Sequence, residues 1–247
     1  MEEELLAKKV ENEKLKTFLK VKPIEKMEGF SFVKKYHYLG DALFFSQYTY
    51  GVFFENELVG VAAFAQPQGA YTITGWFGNQ FKGKEEQVME LQRLAVLPML
   101  NGTNVTSFLL GNAMKLLKKE NVKVVITLAD ATRHVGSIYQ VTNFKYYGLT
   151  ARKTNFYVEE TGKKVGHGKT KGIKGVYIPR SQKHRYAFKL DKNVEVLYKE
   201  EPKPTVDKTI NKSIEGVYVD KRLGEETFYY YHQDTDTIER INPTTLD

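Results

Sequence analysis

The feature that most constrains the fold is a strand, a turn and an amphipathic helix, followed at once by a second apolar strand. Residues 87–98, QVMELQRLAVLP, read as a strand that ends at a proline, and residues 106–120 read as the helix. Residues 122–130, VKVVITLAD, form the continuous apolar run that is typical of a strand buried on both faces. Strands that feed helices place ligands at their carboxyl ends, so we expect a binding site at the loop from Pro98 to Thr106.

The segments around this unit complete an α/β domain with one mixed sheet. Hydrophobic periodicity and turn residues predict helices over residues 2–20, 26–40 and 135–143, a hairpin over 48–54 and 58–65, and strands over 70–78, 144–150, 154–160 and 184–190. The order is therefore helix, hairpin, strand, long helix, buried strand, short helix and strand.

The composition indicates one main domain that is held together without disulfides. The chain has 247 residues, of which 41% are apolar, so it can bury one sizeable core. It contains no run of roughly 18 apolar residues, and its start, MEEELLAKKVENEKLK, is charged where a signal peptide is apolar. We therefore expect a soluble, cytoplasmic protein with no membrane partner. The absence of cysteine excludes disulfides, thiolate zinc sites and cysteine nucleophiles.

Positive charge is concentrated in the first 190 residues. These carry 29 Lys/Arg against 17 Asp/Glu, a balance of +12, while residues 191–247 carry 8 against 13, a balance of −5. Inside the basic part, residues 161–190 hold nine Lys/Arg and no acidic residue. This composition favours a phosphate-rich partner over a solvated hairpin, so we expect binding to double-stranded or locally unpaired DNA. The candidate contacts are Lys163, Lys164, Lys169, Lys171, Lys174, Arg180, Lys183, His184 and Arg185.

These patterns divide the chain into three parts. An N-terminal helix takes residues 1–20, the main domain with the basic segment 161–190 takes residues 21–190, and a tail takes residues 191–247. The tail combines a linker containing two prolines with an alternation of apolar and polar residues that predicts a small three-stranded meander. Three strands are about the minimum for independent stability, so we expect the meander to dock on the main domain or on a partner. Nothing in the tail indicates chemistry.

The element order resembles the GNAT acyltransferase fold, and residues 94–117, LAVLPMLNGTNVTSFLLGNAMKLL, resemble its pyrophosphate-binding strand, loop and helix. The GNAT pattern has Gln or Arg, then Gly, then Gly or Ala, where this chain has Asn101, Asn104 and Thr106. Asn tolerates a left-handed backbone, and Thr106 or Ser107 suits a helix start, so backbone N–H groups can still face a phosphate. The resemblance implies a mostly antiparallel sheet flanked by helices and a bound acetyl-CoA or related acyl-CoA. The implied cofactor contacts are Leu97, Asn101, Gly102, Thr103, Asn104, Val105, Thr106 and Ser107.

Four segments taken together give a more specific resemblance. KYHYLG, ELQRLAVLP, LADATRHVGSIYQVTNFKYYG and QKHRYAFKL, spread over residues 25–190, resemble the phage Mom-type DNA-modification proteins. These are a GNAT-like family that alters adenines in phage DNA so that host restriction enzymes fail to cut. The resemblance implies an enzyme that converts adenine in DNA to an N6-methylcarbamoyl-type adduct.

Functional residues of the family fall on six positions of this chain. They are His37, Tyr38, Arg93, Ser107, Asp130 and Tyr139. His37 or Asp130 is the implied proton acceptor, and Tyr38 offers a stacking face for a base. Arg93 is expected to fix a negative charge of the cofactor or intermediate. Tyr139 falls in the segment that places a tyrosine near the thioester sulfur in GNAT proteins.

These residues also have ordinary structural interpretations. His37 can be a surface residue or a hydrogen-bonded core residue, and Arg93 can pair with a carboxylate such as Asp130. Asp130 stands at a strand end and can simply cap Thr132 or His134. Tyr139 lies between apolar residues and can be part of the core, and Ser107 can be no more than a helix-start residue.

Three further questions stay open at this level. His37, Asp130 and His134 are ligand types of a non-haem iron site, but their spacing matches no metal motif, so we predict no metal site and keep iron as an alternative. A homodimer is also left open. The alternative functions are a conventional GNAT N-acetyltransferase acting on a protein or small-molecule amine, and a catalytically idle DNA-binding protein with a GNAT fold.

Overall fold

The computed structural model describes residues 18–38, 40, 44–69, 71–166, 170–205, 215–222 and 226–242. The chain forms two compact units, each discontinuous in sequence. The first comprises Met1–Leu128, Gly136–Gly148 and Arg185–Lys203, and the second comprises Ala129–Val135, Leu149–His184 and Pro204–Asp247.

Strands and helices alternate along the first half of the chain, and strands dominate the second. The strands are β1 (Leu19–Pro23), β2 (Tyr48–Phe54), β3 (Glu57–Ala65), β4 (Val88–Val96), β5 (Val124–Asp130), β6 (Lys145–Leu149), β7 (Thr154–Val158), β8 (Lys164–Val165), β9 (Gly175–Pro179), β10 (Lys183–Lys189), β11 (Gly216–Asp220), β12 (Thr227–His232) and β13 (Thr237–Ile241). The helices are α1 (Lys26–Tyr36), α2 (Thr72–Phe77), α3 (Val105–Lys119) and α4 (Ser137–Val141). Short 3-10 turns cover Glu85–Gln87 and Pro98–Leu100.

The main sheet has, within the described residues, seven strands in the order β1-β2-β3-β4-β5-β10-β6. The pairs β1–β2, β2–β3 and β3–β4 are antiparallel, and β4–β5 is parallel. This mixed, mostly antiparallel sheet with helices confirms the GNAT-like fold class predicted from the sequence. The strand, helix and strand at the centre of that prediction are β4, α3 and β5.

Two predicted elements of the first unit are wrong. The helix predicted over residues 2–20 does not reach its predicted end, because residues from Leu19 form β1 and pair with β2. Residues 2–17 of that prediction lie outside the described residues. The strand predicted over 70–78 is helix α2, in which Trp76 and Phe77 bury against Phe81 and Val88. Tertiary burial of these two rings outweighs the strand preference of the β-branched and aromatic residues around them.

The second unit contains two small antiparallel sheets, of order β8-β7-β9 and β11-β12-β13, within the described residues. Their facing side chains form one apolar cluster, Tyr157, Val176, Ile178, Tyr229, Tyr231 and Ile238. The meander predicted in the tail is β11–β13, and it packs on the sheet that precedes it in sequence. Strand β9 was not predicted, since its residues lie in a segment rich in Lys and Gly.

The tail predicted over 191–247 does not begin as a linker. Residues up to Lys203 belong to the first unit, where Val194 is buried and Leu197 donates its N–H to the Trp76 carbonyl at 2.8 Å. The Arg185 guanidinium lies 3.7 Å from the centre of the Tyr198 ring. These contacts attach the stretch to the first unit, although its charged residues and prolines are typical of a linker. In the part of the chain that is described, no helix is both long and apolar enough to cross a membrane.

Candidate active site

The sheet of the first unit opens between its two central strands. Parallel pairing of β4 with β5 runs from Val88 opposite Val124 to Glu90 opposite Ile126. Just beyond, the β3–β4 register shifts, because Phe64 pairs with Leu91 and Ala63 pairs with Arg93, which leaves Gln92 as a bulge. A bulge bends its strand and ends regular pairing, so β4 diverges from β5 at this point.

Tyr139 lies at this opening. Helix α4 begins after Gly136, which adopts the left-handed conformation at φ 73°, and the Tyr139 N–H bonds to the Gly136 carbonyl at 2.9 Å. The Tyr139 ring is buried and packs 5.4 Å from the Tyr186 ring and 5.6 Å from the Phe144 ring, measured between centroids. Tyr139 was predicted either to take part in the reaction or to be a core residue, and its ring packs in the core.

The Tyr139 hydroxyl has polar partners inside this core. Burial raises its pKa above the usual tyrosine value, a hydrogen bond with Thr127 opposes that shift, and the nearby groups of Tyr38 and Glu90 raise the pKa further. Thr127 is completely buried on β5 and donates to the Leu91 carbonyl at 3.3 Å. The hydroxyl thus remains protonated at neutral pH.

His37 and Tyr38 follow helix α1. The His37 N–H bonds to the Val33 carbonyl at 2.8 Å, which ends the helix there instead of at the predicted Gly40. The His37 and Tyr38 rings are stacked with their centroids 4.4 Å apart. Tyr38 is 55% exposed, so one aromatic ring stands at the surface while its hydroxyl still influences Tyr139.

Arg93 shares one face of the sheet with Glu90. On the neighbouring strand β3, Glu90 pairs with Ala65 and Arg93 pairs with Ala63. Because Ala63 and Ala65 are two residues apart, they lie on the same face of the sheet, and so do their partners. Helix α1 packs on the same face, because Val61 of β3 lies in one apolar cluster with Phe32 of the helix. Arg93 is half-buried, and its Nη1 donates to the Gln92 carbonyl at 2.7 Å. The side chains predicted to act near α1 are therefore brought to one side of β4.

The loop predicted to hold a cofactor connects β4 to α3. Gly102 adopts φ 83°, which favours glycine, and a Cβ built on it would meet nothing within 4 Å. The helix begins at Val105 with Asn104 as the N-cap residue. The Ser107 hydroxyl donates to the Asn104 carbonyl at 2.9 Å, and the Thr103 hydroxyl donates to the Leu100 carbonyl at 2.7 Å. The N-cap residue is therefore Asn104 instead of the predicted Thr106 or Ser107. The Ser107 hydroxyl stabilises this first turn through its hydrogen bond to Asn104.

The other predicted cofactor contacts lie around the same turn. Asn101, Gly102 and Asn104 are exposed, Leu97, Thr103, Thr106 and Ser107 are half-buried, and Val105 is buried. The turn therefore presents backbone to solvent at the N-terminus of a helix of 15 residues, which suits an anion.

Asp130 ends β5 and belongs to the second unit. Its Oδ1 accepts from the Thr132 N–H at 3.0 Å and from the Thr132 hydroxyl at 2.7 Å, and its Oδ2 accepts from the Ser181 hydroxyl at 2.9 Å. Burial acts to raise the pKa of Asp130, but these hydrogen bonds and the charge of Lys183 outweigh it and hold the pKa below its usual value. The carboxylate therefore holds the turn, and its implied role as a proton acceptor stays a prediction.

Two histidines lie near Asp130 in the second unit. Burial lowers the pKa of His134, against the opposing charge of Asp130 and with the added effect of Arg133. Burial also lowers the pKa of His184, with His134 adding to the shift and Asp130 opposing it. Both imidazoles are neutral at pH 7. Among the described residues, no group of three or more His, Cys, Asp or Glu is arranged to hold a metal, so iron is not supported.

Only part of the basic segment, residues 161–190, is exposed to solvent. Lys163, Lys171, Lys174 and Arg180 are exposed, and Tyr177 between them is 43% exposed. Lys169 lies outside the described residues. The predicted contact His184 is completely buried on β10, so it is corrected to an interior residue.

Other members of the segment have protein partners. The Lys164 ammonium pairs with Asp236 at 2.5 Å. Lys183 and Arg185 are half-buried, and Arg185 belongs to the first unit, where it stacks on Tyr198. In the second unit the Arg222 guanidinium lies 4.4 Å from the centre of the Phe156 ring and 5.3 Å from that of Tyr177. Because Arg222 also pairs with Asp220 at 2.7 Å, the groups of this surface that suit nucleic acid are the exposed Tyr177 ring and the exposed lysines of the segment.

Comparison with known proteins identifies the family. The sequence model of the Mom protein family matches residues 18–206. The chain belongs to the Mom protein family. The match spans the whole described part of the first unit and the strands β7–β9 of the second, and it ends before the β11–β13 meander. No curated protein sequence is significantly similar to this chain.

Solved structures similar to this Mom family member are acetyltransferases. An IAA acetyltransferase from Bacillus cereus has a TM-score of 0.42 and 14% identity, over 70% of this chain and 99% of that one. An acetyltransferase from Bacillus subtilis in complex with CoA has a TM-score of 0.43 and 16% identity, with the same coverages. The ribosomal-protein-S18-alanine N-acetyltransferase from Escherichia coli has a TM-score of 0.43 and 13% identity, over 73% and 99%. At these values the likeness carries no information about substrate or activity.

Two residues of the candidate site were missed from the sequence. Thr127 is a polar residue inside the apolar run VVITLAD, and a buried hydroxyl there needs a partner, which was a usable signal. Glu90 stands in the same strand as Arg93, but its position near Tyr139 depends on the opening between β4 and β5. Nothing in the local sequence indicates that opening.

Proposed function

We propose that the protein is a DNA-modification transferase that places a small acyl-derived group, of the N6-methylcarbamoyl type, on adenine in DNA and so protects the DNA from restriction. The observation that carries this proposal is membership of the Mom family over 18–206, since that family modifies adenine in the interpretation set out above. Two features support the proposal: the opening at Tyr139 in the first unit, as the place for the chemistry, and the exposed lysines of the second unit, as a surface for DNA.

The turn that precedes α3 fits an acyl-CoA. Its exposed backbone, the left-handed Gly102 and the N-terminus of α3 suit a pyrophosphate, and the gap between β4 and β5 suits an extended chain. When bound, an acyl-CoA would supply an acyl carbon activated as a thioester, and the additional NH of a methylcarbamoyl-type group would come from a second, nitrogen-containing donor of the glycyl class. The residues that would hold it are those of the Pro98–Ser107 turn.

The residues of the opening have separate tasks in this proposal. Tyr139 keeps its proton at neutral pH and can donate it to a leaving group that develops negative charge. His37 is the candidate acceptor for the proton that the adenine amino group loses. Arg93 lies on the same face of β4 and can fix negative charge.

The base must leave its stack before it can react, because an amino group within a base pair is inaccessible. Extrusion costs a few kcal/mol, which contacts to the extruded base offset. Tyr38 is 55% exposed and stacked on His37, and its ring can stack on that base.

Mass spectrometry of nucleosides from DNA of cells expressing the protein tests this proposal. We expect a deoxyadenosine derivative that is absent from cells carrying an empty vector. An N6-acetyl product and an N6-methylcarbamoyl product differ by one NH group, so the mass decides between simple acetylation and the proposed adduct. Unmodified deoxyadenosine in both samples would contradict the proposal and favour a protein that binds DNA without altering it.

A further inference from the structure

A pocket in the first unit lies between the end of β3 and the start of β4 and has no role in the function proposed above. Its volume is about 390 Å³. It is enclosed by the turn that follows β3 and by helix α2 with the turn after it, and its lining includes Gln66, Gln68, Asn79, Phe81 and Lys82. The element between β3 and β4 that forms it is the helix that the sequence did not predict.

One lining residue of the pocket, Phe81, packs on the face of the sheet that carries Glu90 and Arg93. Val88 stands two residues before Glu90 on β4, so both side chains point to the same face. Val88 shares an apolar cluster with Phe81, which also lines the pocket. Gln66 directly follows Ala65, the residue paired with Glu90. The first lining residue of the pocket, Gln66, is therefore the residue that follows the partner of Glu90 in the chain.

The lining combines amides with apolar surface. Gln66 is half-buried, while Gln68 and Asn79 are exposed, and each side-chain amide offers both a donor and an acceptor. Ile73 and the buried Phe81 supply apolar surface. Lys82 and Glu85 bring exposed charges of opposite sign to the edge, and the Glu85 carboxylate accepts from the Gly83 N–H at 3.0 Å.

This combination suits a nucleotide more than an aliphatic amine. Adenine presents its N6 amino donor beside the N7 acceptor, the pair that an Asn or Gln amide meets with two hydrogen bonds. The flat base can lie on apolar surface, and the lysine can contact the phosphate. Tyr71, directly before α2, is 85% exposed and places a further ring near this element.

We propose that this pocket, the α2 pocket, receives an unpaired adenine nucleotide of the DNA substrate, with Asn79 and Gln66 contacting the base edge and Lys82 its phosphate. The proposal rests on the function proposed above, because that function requires an extruded adenine. It adds a site that recognises the unpaired base as adenine before the base moves to the Tyr38 and His37 rings, where its amino group reacts.

Binding of deoxyadenosine monophosphate to the purified full-length chain tests the α2 pocket without any catalysis. Trp76 is the only tryptophan of the sequence and lies on α2, one turn from lining residues, so its fluorescence reports on the pocket. We expect a saturable change in Trp76 emission with deoxyadenosine monophosphate and a much weaker one with deoxycytidine monophosphate. The same response to both nucleotides, or no saturable response, would overturn the proposal.

Two substitutions identify the contacts. Asn79→Ala and Gln66→Ala should each weaken the binding of deoxyadenosine monophosphate by about 5-fold to 100-fold. This is the range for one amide that makes two hydrogen bonds to a base. The hydrogen bond recorded at Asn79 uses its backbone carbonyl, which accepts from Lys82, so the turn survives the substitution. Asn112→Ala is the matched control, since its amide bonds to the Phe108 carbonyl within α3.

The two proposals fail in different ways. If the cells contain no modified deoxyadenosine, the proposed function fails, whatever the nucleotide titration shows. If the parent protein modifies DNA but Asn79→Ala and Gln66→Ala bind the nucleotide as tightly as Asn112→Ala, the α2 pocket is wrong and the function stands.

Discussion

At the scale of single residues, the Tyr139 hydroxyl decides whether the opening is chemical or structural. Tyr139→Phe keeps the buried ring against Tyr186 and Phe144 and removes only the oxygen. Thr127 still donates to the Leu91 carbonyl, so the loss of stability should be about 1 kcal/mol. If the hydroxyl is a proton donor, the rate of adenine modification should fall by about 100-fold to 10,000-fold.

The control for this substitution is another buried tyrosine of the first unit. Tyr147→Phe removes the same atom from a ring in the Trp76 cluster, and it should leave the modification rate within a few fold. Adduct formation and urea unfolding are measured on both variants. Equal modification by the two would show that Tyr139 is a core residue and no more.

Asp130 gives a prediction for the dependence of stability on pH. Its pKa in the folded protein is below the usual value, so its contribution is present above that value and is lost as pH falls through the folded pKa. The parent should therefore be more stable than Asp130→Asn at neutral pH, and the difference should shrink below about pH 4. Urea unfolding across this range measures it. A difference that does not depend on pH would show that charge is irrelevant to the turn.

At the scale of elements, the backbone geometry requires a glycine in the turn before α3 but not inside α3 itself. Gly102 has φ 83° with open space around it, so Gly102→Ala strains only the backbone and should cost about 1 kcal/mol. Gly111 lies inside α3, also with nothing within 4 Å of a Cβ, and Gly111→Ala should stabilise by about 0.5 to 1 kcal/mol. Thermal unfolding measures both.

The same pair tests the cofactor site. CoA at a hundredfold excess over its dissociation constant should stabilise the parent by about 2.7 kcal/mol. Gly102→Ala should need more CoA for the same shift, because strain in the turn reorients its N–H groups, and Gly111→Ala should behave as the parent. A parent that shows no shift with CoA would remove the cofactor from this turn.

Prediction from sequence succeeded where an element's own residues determine it. The apolar run of β5 and the alternation in β2 and β3 predicted strands within two residues of their observed bounds. It failed at α2, where burial of Trp76 and Phe77 against residues distant in sequence decides the structure. The opening at Gln92 and the position of Glu90 could not be predicted, because both depend on the register between strands.

At the scale of the whole molecule, the candidate chemistry lies in the first unit, while Lys163, Lys171 and Lys174 of the basic segment lie in the second. Replacing Lys171 and Lys174 with Ala should therefore weaken DNA binding and flatten its salt dependence by about 0.9 per lost phosphate contact. Stabilisation by CoA should not change, since these residues lie in the second unit.

A paired lysine is the control for that experiment. Lys221 bonds to Glu226 at 2.6 Å in the second unit, and Lys221→Ala should leave the salt slope of DNA binding unchanged. The slope is read from binding titrations at several salt concentrations. If the double variant and Lys221→Ala give the same slope, the basic segment is an ordinary solvated surface.

The sequence did not predict how the chain divides into units. Residues 161–184 were assigned to the catalytic domain and residues from 204 to a separate appendage, yet both lie in the second unit and share the cluster of Tyr157 and Tyr229. The contacts that join them link residues about 70 positions apart, as in the hydrogen bond from the Tyr229 hydroxyl to Glu159. Local patterns carry no record of such pairings.

The most direct test of the central claim is the amount of modified deoxyadenosine in DNA from cells that express the parent, His37→Ala, Arg93→Ala or the control Lys221→Ala. A catalytic group contributes about 100-fold or more, so His37→Ala and Arg93→Ala should leave almost no adduct, while the parent and Lys221→Ala should give equal amounts. Abundant adduct from both His37→Ala and Arg93→Ala, at normal protein levels, would contradict the account of this site.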